Sequence, residues 1–425
     1  MRSTRRALAA VVGAAALLVA SACGTGEDDD STATQVEVFT WWAEGGEKAG
    51  LDALVSRFTT ACPGQELSSG AVPGGAGVNA KQVLNARLQQ NDPPDTFQVH
   101  AGAELLDHID AGQIKDLTAE FSSWGLTGAL PAGLIETITV NGKLWSVPVG
   151  VHRANVVWTN DQVLAESDIL TAPKTLKELL GNLGRLRRDG VESPLALGRD
   201  WTQLMLLESV LISDLGPKRF TGLFTGATKW DGKAVRAAID DYATLLDFSN
   251  ADRDSLDWPQ ATRLLADGKA GYQLMGDWVA AELEAANFSG YDSFPFPGNG
   301  KAFQWLADSF TLTTGAANPS GGACWLQTVA SPEGQQAFSA QKGSIPARTD
   351  APTTGFSDYQ LSAAADWKSG VAVPSCAHGS ACSQPWQNAA NAALGAFSTS
   401  DSTPADKEAL QSALAAAAKQ FIRQA

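Results

Sequence analysis

The residues of this chain best placed to do chemistry begin with Pro93-Pro94-Asp95-Thr96-Phe97-Gln98-Val99-His100-Ala101-Gly102. Neither proline can donate a backbone hydrogen bond, so the pair ends a preceding helix. A short, half-apolar run follows, as expected of a buried strand. Side chains alternate across a strand, so Gln98 and His100 share one side, opposite Phe97 and Val99. Ala-Gly closes the strand and Glu104-Leu105-Leu106 opens a helix. In open α/β sheets, ligands bind just beyond the carboxyl ends of strands. Two polar side chains at that point suit a ligand rich in hydroxyls. A strand end whose polar groups are satisfied within the protein is the rival reading.

Carboxylates offer a different chemistry. Asp277, beside Trp278, and Asp308 raise the alternative of a secreted glycoside hydrolase using an Asp/Glu pair. Such an enzyme needs two carboxyl groups about 5–9.5 Å apart across one bond, a separation that sequence does not give. Gly74-Gly75-Ala76-Gly77 lacks both the lysine-serine ending of a phosphate loop and the dinucleotide spacing. It reads instead as a close-approach loop lining a cleft. Neither His-Glu-x-x-His nor Gly-x-Ser-x-Gly occurs, so no metal, cofactor or nucleophilic triad is expected. The four histidines are His100, His108, His152 and His378. His108 reads as a surface residue within a helix, and His152 lies near an expected hinge with its role open. Of thirteen tryptophans, Trp145, Trp305, Trp325 and Trp367 read as core or lobe-surface residues.

The elements that must position these groups follow from periodicity. Gln35–Thr40 alternates and is rich in β-formers, which predicts a strand ending at Trp41-Trp42. The loop from Ala43 to Lys48 leads into a helix with Leu51, Leu54, Val55 and Phe58 on one face. After the glycine-rich loop comes a helix carrying Val83, Leu84 and Leu88. Asn141-Gly142, between Thr137–Val140 and Lys143–Val147, is a strong hairpin signal. Pro148 to Trp158 stays extended and holds the first crossing between lobes. Helices are expected over 176–186, 201–215, 234–246 and 258–265. Gly271 to Trp278 reads as a strand turning into a helix, and Phe294 to Gly300 as the return link. A strand over 304–312 follows, then helices over 323–329 and 332–341. Leu410, Leu414, Ala418 and Phe421 mark a last amphipathic helix after Pro404.

At 425 residues and 44% hydrophobic, the chain has material for two lobes rather than one core. Its formal charge of −15 argues against nucleic acid as a partner. Arg2, Arg5 and Arg6 precede an apolar run from Ala7 to Ala20, then Ser21-Ala22-Cys23, which is the pattern of a signal peptide over residues 1–22. A cysteine directly after small residues resembles a bacterial lipobox, with Ala20 standing where leucine is usual, so Cys23 is the expected lipidation site. Residues 23–34 are polar and aperiodic, a flexible tether. The remaining cysteines, Cys62, Cys324, Cys376 and Cys382, suggest two disulfides with three possible connectivities. The short Cys376–Cys382 loop is the most economical pairing and leaves Cys62 with Cys324. Zinc ligation is the alternative, but the spacing fits no zinc pattern.

Taken together, the chain resembles the extracellular solute-binding lipoproteins of carbohydrate ABC transporters (family 1), in the glucose- and galactose-binding branch. The resemblance runs through Trp41-Trp42-Ala43, Gly74 to Ala80, Asp92 to Gly102, Trp145-Ser-Val-Pro-Val149 and Ala196-Leu-Gly198. It continues through Trp201-Thr-Gln203, Met275-Gly-Asp-Trp278, Asp308-Ser-Phe310 and Lys342-Gly-Ser-Ile345. It implies an α/β, two-lobed periplasmic-binding-protein (Venus flytrap) fold with a hinge and a central sugar cleft. Lobe one would hold 35–150 and 304–350, and lobe two 151–303 and 351–425. Carried over by position, Trp41 and Glu47 occupy the first sugar-binding loop, and Gly74 or Gly75 approaches the ligand by its backbone. Gln98 and His100 sit at strand ends, Trp258 and Trp278 are stacking positions, and Asp308, Lys342 and His378 complete a polar ring. The loop before Glu47 is one residue longer than the family form, which leaves Glu44 as its alternative. Cys376 and Cys382 bracket His378 and would fix that loop.

The implied protein is an exported monomer, lipid-anchored to the outer face of the cytoplasmic membrane or periplasmic. It passes a small sugar to the permease subunits of an ABC importer. The residue set suits that ligand. Indole faces pack on the C–H faces of a pyranose, while charged and amide groups satisfy its hydroxyls. Hydrogen bonds to charged groups contribute about 1.5–3 kcal/mol each. A micromolar complex needs about 8 kcal/mol, so four or five such bonds with tryptophan packing cover it and the cost of ordering.

Overall fold

The computed structural model describes residues 34–422. The expected signal peptide, the expected lipidation site Cys23 and the expected tether up to residue 33 therefore lie outside the described residues. Among those described, no helix is long and apolar enough to cross a membrane.

Strands β1 (Gln35–Thr40), β2 (Glu66–Ala71) and β3 (Thr96–His100) open the chain, and the hairpin pair β4 (Thr139–Val140) and β5 (Lys143–Leu144) follows. Next come β6 (Val147–Arg153), β7 (Val156–Thr159), β8 (Leu195–Ala196), β9 (Tyr272–Met275) and β10 (Ser293–Pro295). The last strands are β11 (Ala302–Leu312), β12 (Ile345–Pro346) and β13 (Val371–Pro374). One sheet runs β12-β6-β11-β3-β1-β2 with β13 added to β11, and the other runs β10-β7-β9-β8. Each has its own apolar core. The first packs Phe97, Phe310 and Trp325 among others, and the second Trp158, Leu207 and Tyr272. These are the two lobes.

Strand β11 runs down the middle of the first sheet, antiparallel to β3 and β6, and every residue of it is buried. Burial on both faces fits the absence of a clean apolar–polar alternation, and its polar residues Gln304, Asp308, Ser309 and Thr311 are buried with the rest. Its pairing with β6 slips between Asp308 and Ser309, opposite Gly150 and Pro148. Pro148 cannot donate to the ladder, and a bulge at that point re-aims Asp308.

The chain crosses between lobes after β6, before β11 and after β13. The waist is stitched by Asn155, whose Nδ2 donates to the Ala302 carbonyl at 3.1 Å and whose Oδ1 accepts from the Gln304 amide at 3.1 Å. The Ser375 amide donates to the Trp305 carbonyl at 2.8 Å. The third crossing thus follows residue 374, beyond the 350/351 division expected from sequence. The helices Gln384–Ser398 and Pro404–Phe421 then pack on the second lobe's helices.

The helices Leu176–Arg188, Trp201–Leu215, Lys233–Asp247, Trp258–Ala266 and Pro404–Phe421 fall where apolar periodicity puts them. Asp257 and Gln260 form a capping box that starts Trp258–Ala266. Four local readings need correction. The first helix begins at Gly45, so Glu47 stands in its first turn and not in a loop. Val83 is 41% exposed, the helix Val78–Gln89 burying Ala80 and Leu84 instead. The hairpin keeps Asn141 and Gly142 in left-handed backbone (φ 53° and 75°), but its strands are two residues long because Ala132–Ile138 is helical. The helix Pro217–Thr225 escapes sequence reading because Gly216-Pro217 looks like a stop, whereas proline is well tolerated in a helix's first turn.

Both disulfides form: Cys62–Cys324 with Cα atoms 6.2 Å apart and Cys376–Cys382 at 5.0 Å. All four thiols are thereby used, which removes the zinc alternative.

Candidate ligand-binding site

Between the lobes lies a narrow chamber of about 20 Å³. The first lobe gives it Trp41, Glu47, His100, His152, Asp308 and Lys342, and the second Trp201, Trp258 and Trp278; His378 comes from the turn after the last crossing. Burial is nearly complete: Trp41 is 4%, His100 1%, Trp258 5% and Trp278 6% exposed. A larger outer recess of about 480 Å³ shares Trp41, Glu47 and Trp258 with the chamber.

Each polar group is held by a neighbour. The His100 imidazole sits with Nδ1 3.0 Å from Glu104 Oε2, which also accepts from Lys81 Nζ at 2.8 Å. Burial alone would raise the Glu104 carboxyl, yet Lys81 and His100 outweigh it and pull it down to about 2. Glu47 Oε1 accepts from Lys342 Nζ at 2.9 Å. Here burial wins, and the Glu47 carboxyl lies above its usual value despite Lys342. His152 bridges the lobes, bonding Asp277 through Nδ1 and Asp308 Oδ2 through Nε2 at 3.1 Å. Burial would depress this imidazole, but the two carboxylates lift it to about 9. At neutral pH it is therefore a cation. Burial also acts to raise Asp308, but the His152 contact prevails and its carboxyl is lowered.

All the sequence-assigned positions but two line the chamber. Gln98 is buried behind it. Its Oε1 accepts from Thr40 Oγ1 at 2.5 Å and the Trp41 amide at 3.3 Å, and its Nε2 donates to Asp308 Oδ1 at 3.1 Å. It orients two wall residues instead of forming wall. Gly74 borders the outer recess, while Ala76 lines the chamber. Of the two glutamates, Glu47 faces the chamber and Glu44 the recess. Trp145, Trp305, Trp325 and Trp367 all pack in or against the first lobe's core. His108 is half-buried, bonded to Gln113 Oε1 at 2.7 Å.

Sequence reasoning missed Trp201, although it heads one of the matched motifs. It also missed that His152 lies between Asp277 and Asp308, because strand register and not spacing brings Asp308 beside it. Asp277 and Asp308 each bond one nitrogen of the His152 ring.

The pattern of known proteins agrees with this architecture. Residues 42–336 match the family of bacterial extracellular solute-binding proteins. A probable sugar-binding periplasmic protein of Mesorhizobium japonicum is 32% identical over 79% of this chain and 81% of its own length. The xylose/arabinose-binding protein XacG of Haloferax volcanii is 28% identical over 87% of this chain and 82% of its own. Among solved structures, the bacterial solute receptor AcbH, described as exclusive for β-D-galactopyranose, superposes with a TM-score of 0.82. It shares 18% identity over 92% of this chain and 99% of its own. The family model and these relatives are named for solute binding, so the hydrolase alternative falls: this chain belongs to the bacterial extracellular solute-binding protein family and is a receptor, not an enzyme.

Proposed function

We propose that this protein is the extracellular sugar receptor of an ABC importer. It captures a glucose- or galactose-like monosaccharide by hinge closure and presents it to the permease. The observation that carries the reading is the chamber itself, where tryptophans from both lobes converge with charged hydrogen-bonding groups. The carbohydrate names of the relatives support the ligand class: xylose or arabinose for one and galactopyranose for another. In this reading Trp41, Trp258 and Trp278 stack on the sugar ring, while Glu47, His100, Asp308, Lys342 and His378 take its hydroxyls.

At about 20 Å³ the chamber has room for little more than a water molecule, so the walls must part and close again around the ligand. The motion pivots at the three-strand waist, and ligand contacts to both lobes shift the open–closed balance. Export by the leader, a lipid anchor at Cys23 and a monomeric state complete the proposal. Calorimetry with a panel of hexoses, pentoses and disaccharides tests it. Micromolar or tighter binding of one monosaccharide class is expected, and failure of every sugar to bind overturns it.

A further inference from the structure

Behind the chamber wall lies a carboxylate with no part in the contacts above. Glu208 sits midway along the apolar helix Trp201–Leu215 and is 1% exposed. Its oxygens gather donors only. Oε1 accepts from the Cys376 amide at 2.5 Å, and Oε2 accepts from Gln304 Nε2 at 2.8 Å and from Ser375 Oγ at 2.9 Å. The Ala377 amide adds another; these donors oppose burial, which still holds the Glu208 carboxyl up at about 7, so above that pH it is ionised and can only accept. Ser375 Oγ also lies 3.1 Å from His378 Nδ1. A hydroxyl has one proton to give. With that proton directed at Glu208, the Ser375 oxygen is left to accept, so His378 must carry its proton on Nδ1. Burial, reinforced by His100, Lys81, His152 and Lys342, holds the imidazole well below its usual range, so it bears one proton and not two. The other nitrogen, Nε2, is buried without a protein partner on a residue that lines the chamber.

We infer that Glu208 is a positioning residue: acting through Ser375, it fixes the His378 proton on Nδ1, so that the chamber presents Nε2 as a hydrogen-bond acceptor for a ligand hydroxyl. The Cys376–Cys382 disulfide closes the turn that carries Ser375's neighbours and His378. That turn and the helix bearing Glu208 are thus held in one register. The hydroxyl rests on the sugar-receptor reading, whereas the place of the proton does not. A glutamine at 208 would present an N–H donor in place of one acceptor. Turned toward Ser375, it would reverse the chain: Ser375 would accept from the amide and donate to Nδ1, and Nε2 would carry the proton.

The test is a long-range ¹H–¹⁵N correlation spectrum of the unliganded, ¹⁵N-histidine-labelled protein, with the His378 signal assigned by its loss in His378→Gln. At about pH 8.5, where Glu208 is ionised, the wild type should show the Nδ1–H tautomer. Glu208→Gln should move it to Nε2–H or to a mixture, and should weaken binding of the preferred sugar at least tenfold. Ser375→Ala, a smaller perturbation, should release the tautomer to a mixture even if Glu208→Gln does not fold. An Nε2–H signal in the wild type, or an unchanged Nδ1–H signal in Ser375→Ala, overturns the inference. The expected tautomers with no sugar bound would sink the receptor reading and leave this one standing.

Discussion

At the scale of single residues, His152 and the tryptophans make opposite demands. His152 pairs a buried imidazolium with Asp277 and Asp308, and removing one member of such a group strands the rest. His152→Leu should therefore destabilise the protein by about 3–5 kcal/mol, read as a lower urea midpoint at pH 6.5. The pH dependence has a definite sign. Its folded-state value is raised from 6.5 to about 9, so this contribution is fully present below pH 6.5 and is lost as pH rises through 9. A wild-type midpoint that does not fall between pH 7 and 10 would contradict it. Trp258 and Trp278 both line the chamber. Replacing either with alanine should weaken sugar binding at least tenfold in calorimetry while the far-UV circular dichroism stays native. Unchanged affinity in both would show that the stacking platform lies elsewhere. Of these residues, the tryptophans and Asp308 were assigned beforehand by their place in the family motifs, whereas His152 gains its meaning from neighbours more than a hundred positions away.

At the scale of elements, the glycine-rich loop decides how closely the lobes approach. A Cβ on Gly75 would lie 2.5 Å from Trp258 Cδ1 and 2.7 Å from Trp201 Cζ2. Gly75 itself has no left-handed backbone, so alanine there is strained by its neighbours and not by its own torsions. Gly75→Ala should hold the second lobe's indoles away from the loop. The expected result is at least tenfold weaker binding with an unfolding midpoint shifted by less than about 1 kcal/mol equivalent. A large stability loss with affinity retained would refute the interlobe role. The sequence reading took this loop as a cleft lining with a glycine near the ligand. It did not tell Gly74, which borders the recess, from Gly75, which the tryptophans cover. Strand β3 was readable to the residue, since proline and glycine bracket it, whereas the role of Gln98 required its pairing partners.

At the scale of the whole molecule, the two disulfides should separate stability from binding. Cys62–Cys324 closes a separation of 262 residues within the first lobe, away from the chamber. Its removal as the double alanine variant should cost about 3–5 kcal/mol, seen in the denaturant midpoint, with sugar affinity retained. Closure itself should appear in small-angle scattering as a fall in the radius of gyration when the preferred sugar is added. No fall at saturation would mean that the lobes do not move about the waist.

What the sequence determined by itself was local and periodic: the strand and helix order, the family motifs, the two-lobed architecture they imply, and most of the chamber's wall. The order of elements follows from short-range backbone preferences and apolar spacing, which each segment carries with it, whereas the lobes and the wall residues follow from the resemblance that the motifs carry. Only the tertiary structure decided which polar groups face one another. The His152 pair of carboxylates, the support that Gln98 gives Asp308, and the chain from Glu208 through Ser375 to His378 all join distant segments. Their partners are chosen by strand register and lobe packing, and no spacing along the chain encodes them.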